Sequence, residues 1–329
     1  MKAIRQDRYG GPEVLALSEV PDPVPGPGEV LVRVHAASVN AADWHILRGD
    51  PYLARLVAPA VFGRHGPRSP VGGHDVAGVV EALGPGATRF AVGDAVLGDV
   101  GDGGGAFAEL VSVGESLLVP KPASLSFEQA AALPLAGTTA LLLLRSAEVR
   151  EGSSVLIVGA SGGVGTYAVQ LAAAWGAEVT AVCSARNMEQ ARALGATHVV
   201  DRTRTGLPAE RYDSVVDLAG RYRLRDLLRR TAPEGVLVLS GGGISEGGSL
   251  VGPMGLMIAG RLAGLRGRPR VAVPTARAGD GLAEVVALAA AGTLRPVIER
   301  TVALAEVAAA IEHMEREHTR GKLVVTVQA

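Results

Sequence analysis

The sequence predicts an α/β protein in which a small β-barrel-like unit precedes a doubly wound parallel sheet. Three observations carry this prediction. Residues 1 to about 122 are broken by Pro and Gly into short strand-like runs, and from about residue 127 strands alternate with helix-length stretches. Between two of those strands lies a glycine-rich turn, in "VLIVGASGGVGTYAVQLAAAWGAEVTAVCSARN", residues 155–187.

The first region, 1–122, holds the runs "EVLVRVHAASV", "GHDVAGVVEALG", "GDAVLGDV", "GAFAELVSV" and "SLLVPKP". In the first run Val30, Val32 and Val34 share one face, the alternation of a half-buried strand. The second region, 123–276, opens on a helix start at Ser126–Glu128–Gln129 and then shows "SSVLIVG", "EVTAVC", "THVVD", "YDSVVDLAG", "GVLVLSG" and "PRVAVPT" as strands. The third, 277–329, has two helical stretches and ends on "GKLVVTV", a strand able to return to the first region.

Composition narrows the function. At 329 residues and 48% hydrophobic content the chain can bury two sizeable cores. A formal charge of −1 points to neither nucleic acid nor an anionic membrane surface. No apolar run approaches the roughly 20 residues of a bilayer span, and "MKAIRQDRYGGPEVL" lacks a signal-peptide core, so a cytoplasmic protein is expected. Cys183 is the single cysteine, which excludes an internal disulfide and any thiolate zinc cluster.

The glycine turn points to a dinucleotide. Gly159, Gly162 and Gly165 are spaced G-x-x-G-x-x-G after a strand and before a helix, with Ser161, Gly163 and Val164 between them. Glycine there permits positive φ, lets the backbone approach a pyrophosphate, and aims the helix N-terminal N–H groups at its charge. Gly162 and Gly165 are therefore expected to tolerate no side chain. An NAD site would place an acid at the end of the second strand to accept from the ribose 2′-OH. This strand ends instead on Cys183, Ser184, Arg186 and Asn187, with no acid before Glu189. Neutral donors and one guanidinium suit the 2′-phosphate of NADPH.

With these blocks in hand, the chain resembles the medium-chain dehydrogenase/reductase superfamily, in its zinc-independent, quinone-oxidoreductase-like branch. The resemblance runs nearly full length through "AASVNAADWHILRG", "GGHDVAGVVEALG", "FAVGDAVLGD", "AALPLAGTTAL", "VGASGGVG", "LGATHVVD" and "RGKLVVTV". It implies a GroES-like barrel, an inserted Rossmann sheet, and a C-terminal segment rejoining the barrel, with the active site in the cleft between. Two zinc-ligand positions of the zinc-containing relatives hold Asn40 and Leu135, while His74 and Asp75 match their His and acid. The resemblance therefore implies no metal.

Without zinc, hydrogen-bond donors must stabilise charge growing on the substrate oxygen. The resemblance implies Asn40 as that donor, Thr138 beside the nicotinamide, and Lys322 near the cofactor, and the glycine run "SGGG" after the fifth strand, with Gly241, is expected to approach the cofactor. Tyr52 is either a proton donor or an aromatic lid residue. Arg202, where relatives carry tyrosine, adds charge near the 2′-phosphate. The loop "RLVAPAVFGRHGPRSP" reads as a solvated basic loop. The expected activity is reduction of a quinone, enone or related carbonyl by NADPH. The alternatives are an NAD(P)-dependent alcohol dehydrogenase on a small carbonyl, or an NADPH-binding sensor with little turnover. A homodimer through the edge strand "PRVAVPT" is the assembly that relatives imply.

Overall fold

The computed structural model describes residues 1–240, 248–265, 267–317 and 319–327. Six parallel strands form one sheet, in the order His198–Asp201, Glu178–Cys183, Ser154–Val158, Tyr212–Asp217, Thr231–Leu239 and Arg270–Ala272. In chain order this is 3-2-1-4-5-6, so the strand order reverses between Ser154–Val158 and Tyr212–Asp217. Ligands bind at such a switch point, outside the carboxyl ends of the strands. The central strands are buried along nearly their whole length because helices cover both faces, which is why they read as continuous apolar runs.

A seven-stranded sheet holds the barrel-like part. Glu29–Val39 pairs antiparallel with Asp75–Leu83, with Leu110–Gly114 and with the C-terminal strand Lys322–Thr326. The tail thus returns to the first region. A strand with no sequence signal, Ile298–Ala303, pairs parallel with that tail. Its residues are mostly exposed, so no apolar period marks it. A short ladder of Lys2–Arg5 with Ala16–Glu19 also carries no alternating signal, since Ala3 and Ile4, adjacent in the chain, are both buried while Ala16–Glu19 is mostly exposed.

The helical stretch after Ser126 is two helices, Phe127–Ala131 and Pro134–Ser146. Ser126 caps the first through a capping box with Gln129, whose backbone N–H donates to Ser126 Oγ at 3.2 Å. Pro134 starts the second, where its missing N–H costs nothing. That helix packs against Gly163–Ala174, and Tyr167, fully buried between them, donates its hydroxyl to the Ala132 carbonyl at 2.9 Å. The two sheets meet along Pro134–Ser146, which touches strands of both, and the cleft lies between them.

Candidate active site

The glycine turn closes the strand Ser154–Val158 at Gly159, whose φ of 88° lies in the left-handed region. Gly162 then caps Gly163–Ala174 with no side-chain hydrogen bond, leaving the first-turn N–H groups for an anion. A Cβ on Gly165 would stand 2.2 Å from the Gly159 carbonyl oxygen, so the protein's own packing demands glycine there. Gly162 differs, because its nearest neighbour would be the same oxygen at 3.6 Å, an ordinary contact. The protein leaves room at Gly162, and only a ligand can require glycine there. The cavity beside this turn fits a dinucleotide pyrophosphate.

On one side the cavity continues past Ser184, Arg186 and Asn187, which follow the second strand, to Arg202, which follows the third. Asn187 donates from Nδ2 to Ser161 Oγ at 2.9 Å, tying this turn to the glycine turn. Arg186 donates to the Glu317 carbonyl at 2.5 Å, on the helix Val307–Glu317. Arg221 and Tyr222 line the same space. Sequence reasoning missed both, because they lie on a loop whose direction no periodicity reports. Gly241 lies outside the described residues.

On the other side Asn40, Gly163, Val164, Gly165 and Lys322 line a second cavity. Here Asp75 is fully buried and saturated with donors. Its Oδ2 accepts from Ser38 Oγ at 2.6 Å, Asn40 Nδ2 at 2.9 Å and Lys322 Nζ at 3.3 Å, and its Oδ1 from the Leu135 N–H at 2.9 Å. Lys322, 3% exposed, also donates to Asn40 Oδ1 and to the Val39 carbonyl. The Asn40 Nδ2 makes its other contact with the Ser38 carbonyl at 3.3 Å. The Asn40 amide thus faces protein acceptors, and Lys322 extends beside Gly163.

Beyond lies a cavity of about 860 Å³ whose lining includes Ile46, Val57, Phe62, Met254, Met257 and Ile258. Thr139 and His45 border both this cavity and the previous one, so they stand where cofactor and substrate would meet. Thr138 lines the larger cavity, but its hydroxyl donates back to the Pro134 carbonyl at 2.7 Å. Thr139, one residue on, was not singled out by sequence because both threonines share one helical turn. Tyr52 is 44% exposed and is not among the cavity-lining side chains. Arg55 stacks on its ring and on Tyr9, and donates to the carbonyls of Gly49 and Arg48. The basic loop's Arg68 likewise donates to the Ala60 carbonyl, so these arginines fasten the loop.

His74 also lines this cavity, with Nδ1 2.7 Å from Asp43 Oδ1. Burial pulls its pKa down, but Asp43, then Asp99 and Asp75, outweigh it and raise it to about 9. Asp99 is pushed up to about 6 by burial and by Asp75. Among the described residues no three His, Cys, Asp or Glu side chains group so as to hold a metal ion. With Asn40 and Leu135 at two ligand positions, the residues present do not fit a catalytic zinc, which takes three protein ligands.

Comparison with known proteins agrees with this geometry. Residues 26–123 match the family described as alcohol dehydrogenase GroES-like domain, and residues 194–325 the family described as zinc-binding dehydrogenase. The chain is 37% identical to the chloroplastic quinone-oxidoreductase QR1 of Triphysaria versicolor, over 67% of this chain and 68% of that protein. It is 34% identical to the mitochondrial NAD(P)H oxidoreductase RTN4IP1 of Mus musculus, over 98% of this chain and 88% of that protein. Among solved structures, the quinone oxidoreductase from Coxiella burnetii superposes with a TM-score of 0.87 at 31% identity, covering 100% of this chain and 99% of that one. Both curated relatives are named for organelles, and the cytoplasmic expectation draws no support from them. No helix among the described residues is long and apolar enough to cross a membrane.

Proposed function

Since the chain belongs to the medium-chain dehydrogenase/reductase superfamily, in its quinone-oxidoreductase-like branch, we propose that it reduces a quinone-like substrate with NADPH. Bound in the cleft, the nicotinamide supplies a hydride to the substrate. The chain's own residues do the rest. The glycine turn and the uncapped helix N-terminus hold the pyrophosphate. Asn40 and Asp75 hold Lys322 as a fixed positive charge beside the nicotinamide end of the cavity, which is the role we assign to Asn40 in place of direct donation to substrate. Thr139 offers a hydroxyl where the two cavities join. The apolar walls beyond it suit a planar, weakly polar acceptor such as a quinone or enone. The alcohol dehydrogenase alternative is not favoured, since the zinc-ligand positions hold Asn40 and Leu135. Pairing of two copies through the edge strand Arg270–Ala272 is supported by the exposed Leu262 on the adjoining helix Pro253–Gly264 and Leu265 at its C-cap.

The observation that carries the choice of NADPH is the set of three guanidinium groups, from Arg186, Arg202 and Arg221, around the adenosine end of the cavity. The second strand delivers Cys183 and Ser184 there, without an acid. A charge-assisted bond to the 2′-phosphate contributes roughly 1.5–3 kcal/mol and has no counterpart in NADH. Arg186→Ala should weaken NADPH by about tenfold to a hundredfold and barely alter NADH, read by fluorescence titration of both cofactors. A wild-type protein that prefers NADH, or equal losses for both cofactors, rules this reading out.

A further inference from the structure

The substrate cavity contains two imidazoles that both donate through Nδ1, one to a neutral carbonyl and the other to a carboxylate, and the contrast assigns a proton donor. His45 turns Nδ1 to the Asp50 carbonyl at 2.8 Å, an acceptor only, so Nδ1 carries the proton. Burial lowers its pKa. Its Nε2 is then a lone pair, and in that state His45 can accept a hydrogen bond from substrate but not give a proton. His74 is the other case. Its Nδ1 donates to Asp43 Oδ1, and Asp43 is itself fixed, because its Oδ2 accepts the Asn40 N–H at 2.7 Å at the start of the helix Ala41–Arg48. The imidazole is thus held by a carboxylate that cannot swing away. No hydrogen bond among the described residues occupies His74 Nε2, and that atom is not among the buried, unpartnered ones, so it is accessible; His74 lines both the substrate cavity and a smaller neighbouring one.

We propose that His74, held through Nδ1 by Asp43, presents Nε2–H to the substrate cavity and protonates the oxygen of the reduced substrate. The proposal rests on the reductase reading. When the substrate has taken the hydride, negative charge sits on its oxygen. The His74 Nε2–H bond breaks, an O–H bond forms, and the electron pair stays on Nε2, leaving a neutral imidazole that regains a proton from water in the open cavity. NADPH, one proton and the quinone thus become NADP⁺ and the hydroquinone. The charges facing His74 favour the cation that this step needs. They are Asp43 on its helix, Asp75 and Asp99 on adjoining strands, and Asp102 on the following turn. Arg261 and Arg277 border the same cavity and act in the opposite sense.

The test uses the whole protein and para-nitrophenol, whose ionised form is coloured and mimics the substrate oxyanion. In wild type, affinity for the phenolate should fall about tenfold or more as pH rises through about 9, where His74 loses its charge. His74→Gln should bind it weakly without that dependence. The same variant should keep its NADPH affinity while kcat with a quinone drops on the order of a hundredfold. Phenolate affinity in wild type that ignores this pH range overturns the assignment, as does His74→Gln with unchanged kcat. Wild-type protein inert toward every quinone and enone would overturn the reductase reading and this proposal together, whereas an active wild type with an equally active His74→Gln removes the proposal alone.

Discussion

His74 and Asp75 are neighbours in the chain, and the structure turns them to opposite ends of one cleft. Asp75 begins the strand Asp75–Leu83 and points to the cofactor side, where Ser38, Asn40, Lys322 and the Leu135 N–H use both of its oxygens. His74 borders the substrate side, where Asp43 holds one nitrogen and no hydrogen bond among the described residues takes the other. Successive residues of extended chain face opposite ways, so one dipeptide serves both ends. The difference lies in what is left over. A buried ion whose two oxygens are both engaged by the protein holds parts together, whereas a buried ion with one free donor has chemistry to do.

If that contrast is right, the largest effect comes from Asp75. Asp75→Asn strips the carboxylate from a buried ammonium, and breaking a buried pair in this way costs about 3–5 kcal/mol. Urea unfolding should show a loss of that size, and a loss below about 1 kcal/mol would mean that the cluster does not hold a buried ion pair. His74 comes next and carries a pH signature. Its folded pKa, about 9, lies above the usual histidine value of 6.5, so its pairing stabilises the fold fully below about pH 6.5 and ceases to do so as pH rises through 9. The Tm difference between wild type and His74→Gln should therefore shrink from pH 6 to pH 10, from a contribution on the order of 2–3 kcal/mol. A difference that stays constant across that range would show that His74 is not charged in the folded protein. The smallest effect belongs to Ser38→Ala, which removes one of several donors to Asp75 and should cost about 1 kcal/mol in the same urea measurement. A loss as large as that of Asp75→Asn would mean the donors do not share the load.

Much of the candidate site was legible where its signal is local. Gly159 and Gly165 are read from spacing alone, because the turn they make and the packing they permit involve residues a few positions away. Arg186 and Arg202 were legible because they follow strands of the parallel sheet, and the carboxyl ends of those strands all open on the same crevice. Thr139, Arg221 and His45 were not, since which of two adjacent side chains faces a cavity depends on the rotation of a helix or the course of a loop. Asn40 was legible as a position but not as an orientation. Its role turns on where Lys322 lies, and nothing near residue 40 reports that.

By itself the sequence determined the parallel sheet, the glycine turn, the family and the absence of an acid at the second strand's end. Each rests on periodicity or spacing within one stretch of chain, which short-range sterics and backbone hydrogen bonding translate directly into structure. Only the tertiary structure decided which buried charges meet. Lys322 reaches Asn40 and Asp75 because the C-terminal strand pairs with Glu29–Val39, closing a loop of more than two hundred residues. Hydrogen-bond energies fall off within a few ångströms and screened Coulombic ones over roughly 10 Å, so a partner distant in sequence has little energetic effect until the sheet brings it there. The two fates of His74 and Asp75 are settled at that last step.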